Sequence, residues 1–380
     1  MRIGFDVTPL YTPMSGVGTY TINLLEHLER LSHDEILRLA HRSSPANGSS
    51  ERNWLATTRP EMRGLALNKT VWMQVVLPRQ LRHLCTDVCH FTNGVASFWT
   101  PCPSVLTIHD MTLWLFPQYH YRRRLLAMRP FVPLAARRAA AIIAVSQATK
   151  ADIVRILGVE ESKVHVVYEA PSPHFQPLES AAELERVRQR YGLPPRLILY
   201  VGTIEPRKNL VRLLEAYARL RASHGIAHSL VFVGRRGWKD EAVFAAVEQL
   251  GLDGKVRFLG YVPASDLVAL YNLADLVAFP SLYEGFGLPV LEAMACGTPV
   301  VASPNGSLRE VAGCAAEIVD PCDVESIAAG LWRVLRDPTR REELCACGLA
   351  QAARFSWEET ARQTRKIYAR VKGACDNGGD

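Results

Sequence analysis

The sequence predicts an α/β protein built from two doubly wound parallel sheets, and three observations support that prediction. Short apolar, β-branched segments recur along the 380 residues, with helical stretches between them. Near-continuous apolar strands of this kind are typical of parallel sheets that helices cover on both faces. The segments fall into two groups of six, and the chain has the length of about two domains.

Six strands are predicted in each half of the chain. Those of the first half cover residues 3–7, 36–40, 88–91, 105–108, 142–145 and 164–168. Those of the second half cover residues 197–201, 230–233, 256–259, 276–279, 299–302 and 316–319. The predicted connections include helices at about 21–31 and 181–191.

Prolines mark the boundary between the halves. Pro171, Pro173 and Pro177 follow the sixth strand, and proline suits a linker because it removes a hydrogen-bond donor and fixes the backbone. The predicted domains are 1–172 and 173–355. A last helix at about 357–371, within residues 356–380, has no strand after it, so it must pack on an existing surface. Residues after 373 read as a frayed tail.

Composition excludes several classes of protein. A net charge of +6 is too mild for a nucleic-acid-binding protein, so none is expected as a partner. Neither a membrane span nor a signal peptide is indicated, which makes the cytoplasm the expected compartment. The nine cysteines are scattered without a C-x-x-C pair, and we interpret them as reduced structural thiols rather than zinc ligands.

Ligands of open α/β sheets bind beyond the carboxyl ends of the strands, so the strand-to-helix turns are the candidate sites. The first turn contains Gly16 and Gly18, which would let a ligand approach the backbone before a helix at about 21–31. A plain glycine turn is the alternative. At the end of strand 105–108, His109 suits hydrogen bonding or proton handling, and a histidine that merely caps a loop is the alternative.

The third turn follows strand 197–201 and contains Gly202, Thr203, Arg207 and Lys208. Two adjacent cations at a helix start are disfavoured by the helix dipole unless an anion is bound there. A diphosphate would accept hydrogen bonds from the arginine and ion-pair with the lysine, and both would stabilise charge on a leaving group. A solvated turn is the alternative.

The fourth turn is the most specific. Glu284 lies in the turn after strand 276–279, and Glu292 is expected in the first turn of the following helix. Gly285 and Gly287 would present backbone N–H groups to an anion. Phosphates would repel the carboxylates, so we expect the carboxylates to face sugar hydroxyls instead. An ordinary helix start with solvated carboxylates is the alternative.

These motifs together resemble a family. Glu284 and Glu292 form an E-x7-E element that, with residues 202–209 and His109, is similar to retaining, nucleotide-sugar-dependent glycosyltransferases of family 4 (group 1), which have the two-domain GT-B fold. The resemblance covers nearly the whole chain. It implies an acceptor-binding N-terminal domain, a donor-binding C-terminal domain, and a last helix that crosses back to the first domain.

The resemblance also implies residue roles. Arg207 and Lys208 would hold the donor diphosphate, Glu292 the ribose, and Glu284 the transferred sugar, which His109 would also contact. Further contacts are implied for the remaining donor-site residues: Gly16, Gly18, Gly202, Thr203, Tyr261, Val262, Gly285, Phe286, Gly287 and Leu288. No cofactor or metal is expected, because the sequence contains no D-x-D triplet and the two cations can replace a divalent ion.

Residues 202–209 are similar to those of bacterial mannosyltransferases of surface polysaccharides, which favours GDP-mannose as donor and a glycan or polyprenyl-linked glycan as acceptor. A UDP-sugar donor, a GT-B epimerase or hydrolase, and a non-catalytic nucleotide-sugar-binding protein are the alternatives. The sequence departs from the family at the hinge, where residues 168–171 read Tyr-Glu-Ala-Pro. Arg122, Arg123, Arg124 and Arg129, interleaved with aromatic and aliphatic residues, suggest peripheral contact with the inner face of the plasma membrane. A solvated basic helix is the alternative.

Overall fold

Two six-stranded parallel sheets organise the protein. A computed structural model describes residues 1–11, 15–41 and 69–376, with side chains to residue 374. The strand orders are β2-β1-β3-β4-β5-β6 in the first sheet and β12-β11-β10-β7-β8-β9 in the second. The predicted fold class, α/β with two doubly wound sheets, is confirmed.

The strands begin and end within two residues of the predicted bounds. They are β1 Arg2–Asp6, β2 Glu35–Leu39, β3 Val88–Phe91, β4 Ser104–Ile108, β5 Ala141–Ala144, β6 Val164–Val166, β7 Leu197–Val201, β8 Ser229–Val233, β9 Val256–Gly260, β10 Leu276–Phe279, β11 Val300–Ala302 and β12 Ala316–Ile318. Central strands such as β4 and β7 are buried at every position, as expected of strands covered on both faces.

Helices follow most of the strands. They are α1 Gly16–Leu31, α2 Leu77–His83, α3 Thr112–Leu115, α4 Arg122–Met128, α5 Phe131–Arg138, α6 Gln147–Leu157, α7 Ala181–Arg190, α8 Leu210–His224, α9 Glu241–Gln249, α10 Ala264–Leu273, α11 Leu288–Ala295, α12 Leu308–Ala312, α13 Val324–Arg336, α14 Pro338–Ala352 and α15 Trp357–Asp376. A π-helical segment, Trp72–Val76, runs directly into α2.

The chain divides into two units. Unit 1 comprises Met1–Leu115, Arg122–Glu169 and Trp357–Asp380, and unit 2 comprises Phe116–Tyr121 and Ala170–Ser356. The chain therefore passes from unit 1 to unit 2 after Glu169 and returns before Trp357. The short segment Phe116–Tyr121 is held in unit 2 by Trp238, whose indole N–H donates to the Tyr119 carbonyl at 2.6 Å.

The last helix, α15, is an integral part of unit 1. The rings of Trp357 and Tyr20, on α1, lie 6.0 Å apart. Tyr368 is fully buried, and its hydroxyl is 2.6 Å from Nδ1 of His90 on β3. Arg365 adds an ion pair to Asp34 at 2.7 Å. Aromatic burial, one buried hydrogen bond and one partly exposed ion pair thus fix α15 within unit 1.

Two predicted helix bounds were wrong. Helix α1 begins at Gly16, not near residue 21, because Ser15 is the extended residue before the helix and its carbonyl accepts the first helical hydrogen bond, from the Thr19 N–H. The terminal helix continues to Asp376, beyond the point where a frayed tail was expected. No helix in the described ranges combines the length and the apolar character needed to cross a bilayer.

Candidate functional site

The turn after β7 presents Arg207 and Lys208 on a single 3-10 turn, Pro206–Lys208. Asn209 ends this turn in the left-handed region, at φ 61°, and α8 begins immediately after it. The buried Asn209 side chain donates to the carbonyls of Pro280, at 3.0 Å, and Pro321, at 2.6 Å. The asparagine therefore fixes the cationic turn to the loops that follow β10 and β12.

Arg207 and Lys208 form a buried ionic cluster with two carboxylates. Lys208 Nζ lies 2.6 Å from Glu284 Oε1, and Arg207 Nη1 lies 2.9 Å from Glu284 Oε2. Arg207 Nη2 contacts Glu205 at 2.5 Å, and Nη1 also donates to the Tyr283 carbonyl at 2.5 Å. The structure thus brings three predicted site residues together and adds Glu205, which the sequence reasoning did not assign.

The cations determine the charge state of Glu284. Burial would raise the pKa of this carboxyl, but Arg207 and Lys208 outweigh burial and lower the pKa to about 2. In the structure the Glu284 carboxylate faces these two cations, and its expected contact with sugar hydroxyls stays a prediction. Attraction to the two adjacent cations decides the direction of the carboxylate.

The loop from Gly285 to Leu288 is buried and closely packed. Gly287 precedes α11 with φ 108°, and a Cβ there would lie 2.7 Å from Leu308 Cδ2, so only glycine fits. The Ser307 hydroxyl donates to the Phe286 carbonyl at 2.5 Å and to the Glu284 carbonyl at 3.2 Å. The backbone that carries Glu284 is therefore positioned by a neighbouring loop as well as by α11.

Glu292 lies in the second turn of α11, one turn later than predicted, because the helix begins at Leu288. The Tyr271 hydroxyl donates to Glu292 Oε2 at 2.8 Å. Burial raises the pKa of Glu292 to about 7, and the tyrosine hydrogen bond only partly opposes that rise. Tyr271 is a partner that the sequence reasoning missed, because it comes from α10, 21 positions earlier.

The other predicted donor-site residues lie at the ends of strands in unit 2. Gly202 follows β7, and a Cβ there would lie 2.7 Å from the Tyr200 hydroxyl, which itself donates to the Thr203 carbonyl. Tyr261 follows β9 with 49% of its surface exposed, while Val262 is buried. The Arg235 guanidinium lies 4.8 Å from the centre of the Tyr261 ring.

In unit 1, His109 is held between two acceptors. Its Nδ1 lies 3.0 Å from Glu169 Oε1, and its Nε2 lies 2.9 Å from the Thr92 carbonyl oxygen. Because a carboxylate and a carbonyl can only accept, both ring nitrogens must carry protons to satisfy them. Burial opposes protonation of His109, but Glu169 outweighs burial and raises the pKa of the imidazole. The rings of Tyr20 and His109 pack edge to face, with their centres 4.8 Å apart.

Glu169 belongs to the hinge, residues 168–171, where the sequence departs from the family, and the sequence predicts no role for its side chain. Glu169 is buried, with 5% of its side chain exposed, and it is the last residue of unit 1 before the chain enters unit 2. Gly16 and Gly18 occupy the first turn of α1 and do not form the predicted loop. A Cβ at Gly16 would meet nothing within 4 Å, so packing does not require glycine there.

The predicted basic helix is α4, which has no buried residue. Arg122, Arg123 and Arg124 are exposed. Arg129 is different, because its guanidinium donates two hydrogen bonds, at 3.1 and 2.8 Å, to the Leu113 carbonyl. Because this contact holds the Arg129 guanidinium, the exposed charge of the segment comes from the three arginines of α4. No cluster of three or more potential metal ligands occurs among the residues that the structure describes.

Comparison with known proteins places these features in a family. The family model "Glycosyltransferase Family 4" matches residues 14–170, and "Glycosyl transferases group 1" matches residues 183–347. O-antigen chain mannosyltransferase B of Escherichia coli is 34% identical over 379 residues, which is 97% of this chain and 99% of the relative. This chain belongs to the group 1 glycosyltransferases of family 4.

Two further similarities define what the glycosyltransferase shares with its relatives. The serotype-specific mannosyltransferase WbdA of Escherichia coli is 35% identical over 237 residues, 62% of this chain and 29% of that longer one. The structure of HepE from Anabaena in complex with UDP-glucose superposes with a TM-score of 0.76 at 20% identity, covering 97% of this chain and 100% of that one. The structural likeness establishes the GT-B fold of the glycosyltransferase.

Proposed function

We propose that this glycosyltransferase moves mannose from GDP-mannose to a hydroxyl of a glycan or polyprenyl-linked glycan during synthesis of a cell-envelope polysaccharide. The observation that carries the proposal is the 34% identity, over nearly the full length of both chains, to a protein named as an O-antigen chain mannosyltransferase. The same proposal assigns donor binding to unit 2 and acceptor binding to unit 1, and the chain passes between these units after Glu169, three residues before the predicted boundary.

In the proposed chemistry Arg207 and Lys208 stabilise the negative charge of the leaving group. As the bond between the sugar and the diphosphate breaks, negative charge grows on the leaving nucleotide, and two buried cations stabilise that charge. We propose that the reaction needs no divalent cation, because the two side-chain cations can take its place and the sequence has no D-x-D triplet to bind one. Front-face attack by the acceptor hydroxyl would retain the anomeric configuration.

A binding and turnover experiment tests the donor. Calorimetry with GDP, UDP and ADP should show the tightest binding for GDP, and labelled GDP-mannose should transfer its sugar to an acceptor with retention at the anomeric carbon. Tightest binding of UDP would mean that the donor is a UDP-sugar and not GDP-mannose. Labelled sugar that is epimerised, or released to water without an acceptor, would favour an epimerase or hydrolase. Absence of turnover despite binding would favour a non-catalytic protein.

Substitution of the cations tests the chemistry. Arg207→Ala or Lys208→Ala should each lower kcat/KM by about 100-fold, since each removes one charge from the leaving group. Arg219→Ala is the matched control, because Arg219 lies on α8 of the same unit with 57% of its side chain exposed. A loss below about threefold at either site would exclude the proposed role.

We also propose that a basic aromatic face of unit 1 contacts anionic phospholipid. Leu126 on α4 is 77% exposed, Trp99 is 67% exposed, and the Arg138 guanidinium lies 4.1 Å from the Trp99 ring centre. Exposed apolar side chains beside arginines are typical of interfacial elements. The basic aromatic face consists of Trp99, Arg122, Arg123, Arg124, Leu126, Phe131, Arg137 and Arg138.

Vesicle sedimentation tests this face. The protein should sediment with vesicles that contain phosphatidylglycerol and remain in solution with pure phosphatidylcholine. Replacing Arg122, Arg123 and Arg124 together by Ala should weaken the binding by about 100-fold, because each residue near the surface contributes about 1 kcal/mol. Equal binding by the triple variant would exclude these arginines as the membrane contact.

A further inference from the structure

The two cations assigned to the diphosphate are already occupied by a carboxylate of the protein. Glu284 bridges them, with Oε1 2.6 Å from Lys208 Nζ and Oε2 2.9 Å from Arg207 Nη1. The bridge is buried, since the three side chains are only 9–12% exposed. A diphosphate that bound the same nitrogens would therefore have to displace Glu284 or share both cations with it.

The charges of this cluster make sharing unfavourable. Glu205 pairs with Arg207 Nη2 at 2.5 Å, so two cations and two carboxylates balance within these four side chains. A neutral buried cluster attracts an anion weakly, and a second anion beside the Glu284 carboxylate would be repelled at low dielectric. Moving Glu284 away would leave the remaining three groups with a net positive charge, which does attract a diphosphate.

We propose that Glu284 stands in for the donor diphosphate, and that donor binding is an exchange of anions. The diphosphate takes the Arg207 and Lys208 nitrogens, and the released Glu284 carboxylate accepts hydrogen bonds from hydroxyls of the transferred sugar. The exchange rests on the proposed function, because it assumes that a nucleotide sugar is the ligand. Glu205 stays on Arg207 Nη2 during the exchange and acts as a positioning residue for the guanidinium.

The exchange couples recognition of the two ends of the donor. A neutral sugar brings no charge that could displace Glu284 from two cations, so the sugar-binding form of Glu284 becomes available only when a diphosphate is bound. By the reciprocity of linked equilibria, a sugar that holds Glu284 in its released position also strengthens binding of the diphosphate. Free sugar alone is therefore expected to bind poorly.

Calorimetry on a charge-neutralising variant tests the exchange. Glu284→Gln removes the competing charge but keeps the size of the side chain, so it should bind GDP and inorganic pyrophosphate at least about tenfold tighter than the wild type. Glu284→Asp keeps the charge and should stay within about threefold of the wild-type affinity. The Gln variant should nevertheless lose turnover, because its neutral amide cannot give the transferred sugar the charged acceptor that the Glu284 carboxylate provides.

Glu317→Gln is the matched control for loss of a buried carboxylate between two cations. Glu317, on β12, pairs with Arg333 at 2.7 Å and Arg340 at 3.2 Å in the same unit. The control should leave the affinity for GDP unchanged. A tenfold gain in this variant as well would mean that overall charge, and not the exchange at Glu284, governs binding, and would overturn the inference.

Two outcomes separate this inference from the proposed function. If the wild type binds GDP and folded Glu284→Gln binds it equally or more weakly, the exchange is wrong and the proposed function stands. If neither protein binds GDP, UDP, ADP or pyrophosphate, both fail. A structure of the wild type with GDP decides the matter even if the variant does not fold. The exchange requires that the Glu284 carboxylate lie more than about 4 Å from Lys208 Nζ when GDP is bound. An intact Glu284–Lys208 ion pair beside a bound diphosphate would overturn the inference.

Discussion

Glu292→Gln should stabilise the protein, and should do so only above about pH 5. Burial raises the pKa of Glu292 from 4.5 to about 7. Between these values the unfolded chain has lost the proton while the folded protein keeps it, so the free energy of unfolding falls as the pH rises. At about 1.4 kcal/mol for each unit of pKa, the loss reaches about 3 kcal/mol above pH 7.

Glutamine cannot ionise, so the variant avoids this loss. The difference in unfolding free energy between variant and wild type should grow by about 3 kcal/mol from pH 4.5 to pH 8. Urea unfolding at a series of pH values measures it, and Glu248→Gln, at an exposed position of α9, controls for loss of a carboxylate. A difference that stays within about 0.5 kcal/mol across this range would show that Glu292 does not titrate there.

The same group connects stability with donor binding. Ribose hydroxyls that donate to Glu292 would favour its ionised form, so GDP binding near pH 7 should release up to about half a proton. Calorimetry in buffers of different ionisation enthalpy measures that release. Glu292→Gln should abolish it and weaken GDP binding, and an unchanged affinity would exclude the ribose contact.

Two further predictions concern residues that position the site. Glu169→Gln should lower the pKa of His109, which NMR titration of the imidazole measures, and an unchanged titration would refute the pairing. The variant should lose more stability at low pH than at high pH, because the wild-type ion pair is itself lost as the pH rises through the raised pKa of His109. Asn209→Ala loses the hydrogen bonds to Pro280 and Pro321 and strains a left-handed backbone, so it should lower the free energy of unfolding by about 2–4 kcal/mol. Asn209→Gly loses only the hydrogen bonds, so its loss of stability should be smaller. Thermal denaturation of the two variants compares them, and equal stability would show that the backbone conformation carries no cost.

The strands were predictable because a buried parallel strand is a continuous apolar segment. Val88–Phe91 and Leu197–Val201 have the predicted bounds, and every position in both strands is buried. The start of α1 was missed for a local reason. Gly16 and Gly18 were interpreted as a loop, but the first turn of a helix tolerates glycine when the residue before it is extended and its carbonyl begins the hydrogen-bond ladder.

The charged residues of the candidate site could be identified from the sequence, but the partners that the structure gives them could not. Glu169 meets His109 across 60 positions, and Tyr271 meets Glu292 from another helix. Neither pair has a local pattern, because both depend on how strands and helices pack. Glu205 lies in the same turn as Arg207, yet only the structure shows that its carboxylate pairs with the guanidinium.

The two glutamates of the E-x7-E element illustrate what packing adds to a motif. Glu284 lies against two cations, which lower its pKa to about 2, whereas Glu292 lies in an apolar helix interface with one tyrosine, and burial raises its pKa to about 7. Glu284 is therefore ionised throughout the neutral range, and its availability depends on which anion the cations hold. Glu292 changes charge near neutrality, so its availability depends on the pH and on donors that reach it. Identical residues eight positions apart thus suit different tasks, because one is controlled by ion pairing and the other by desolvation.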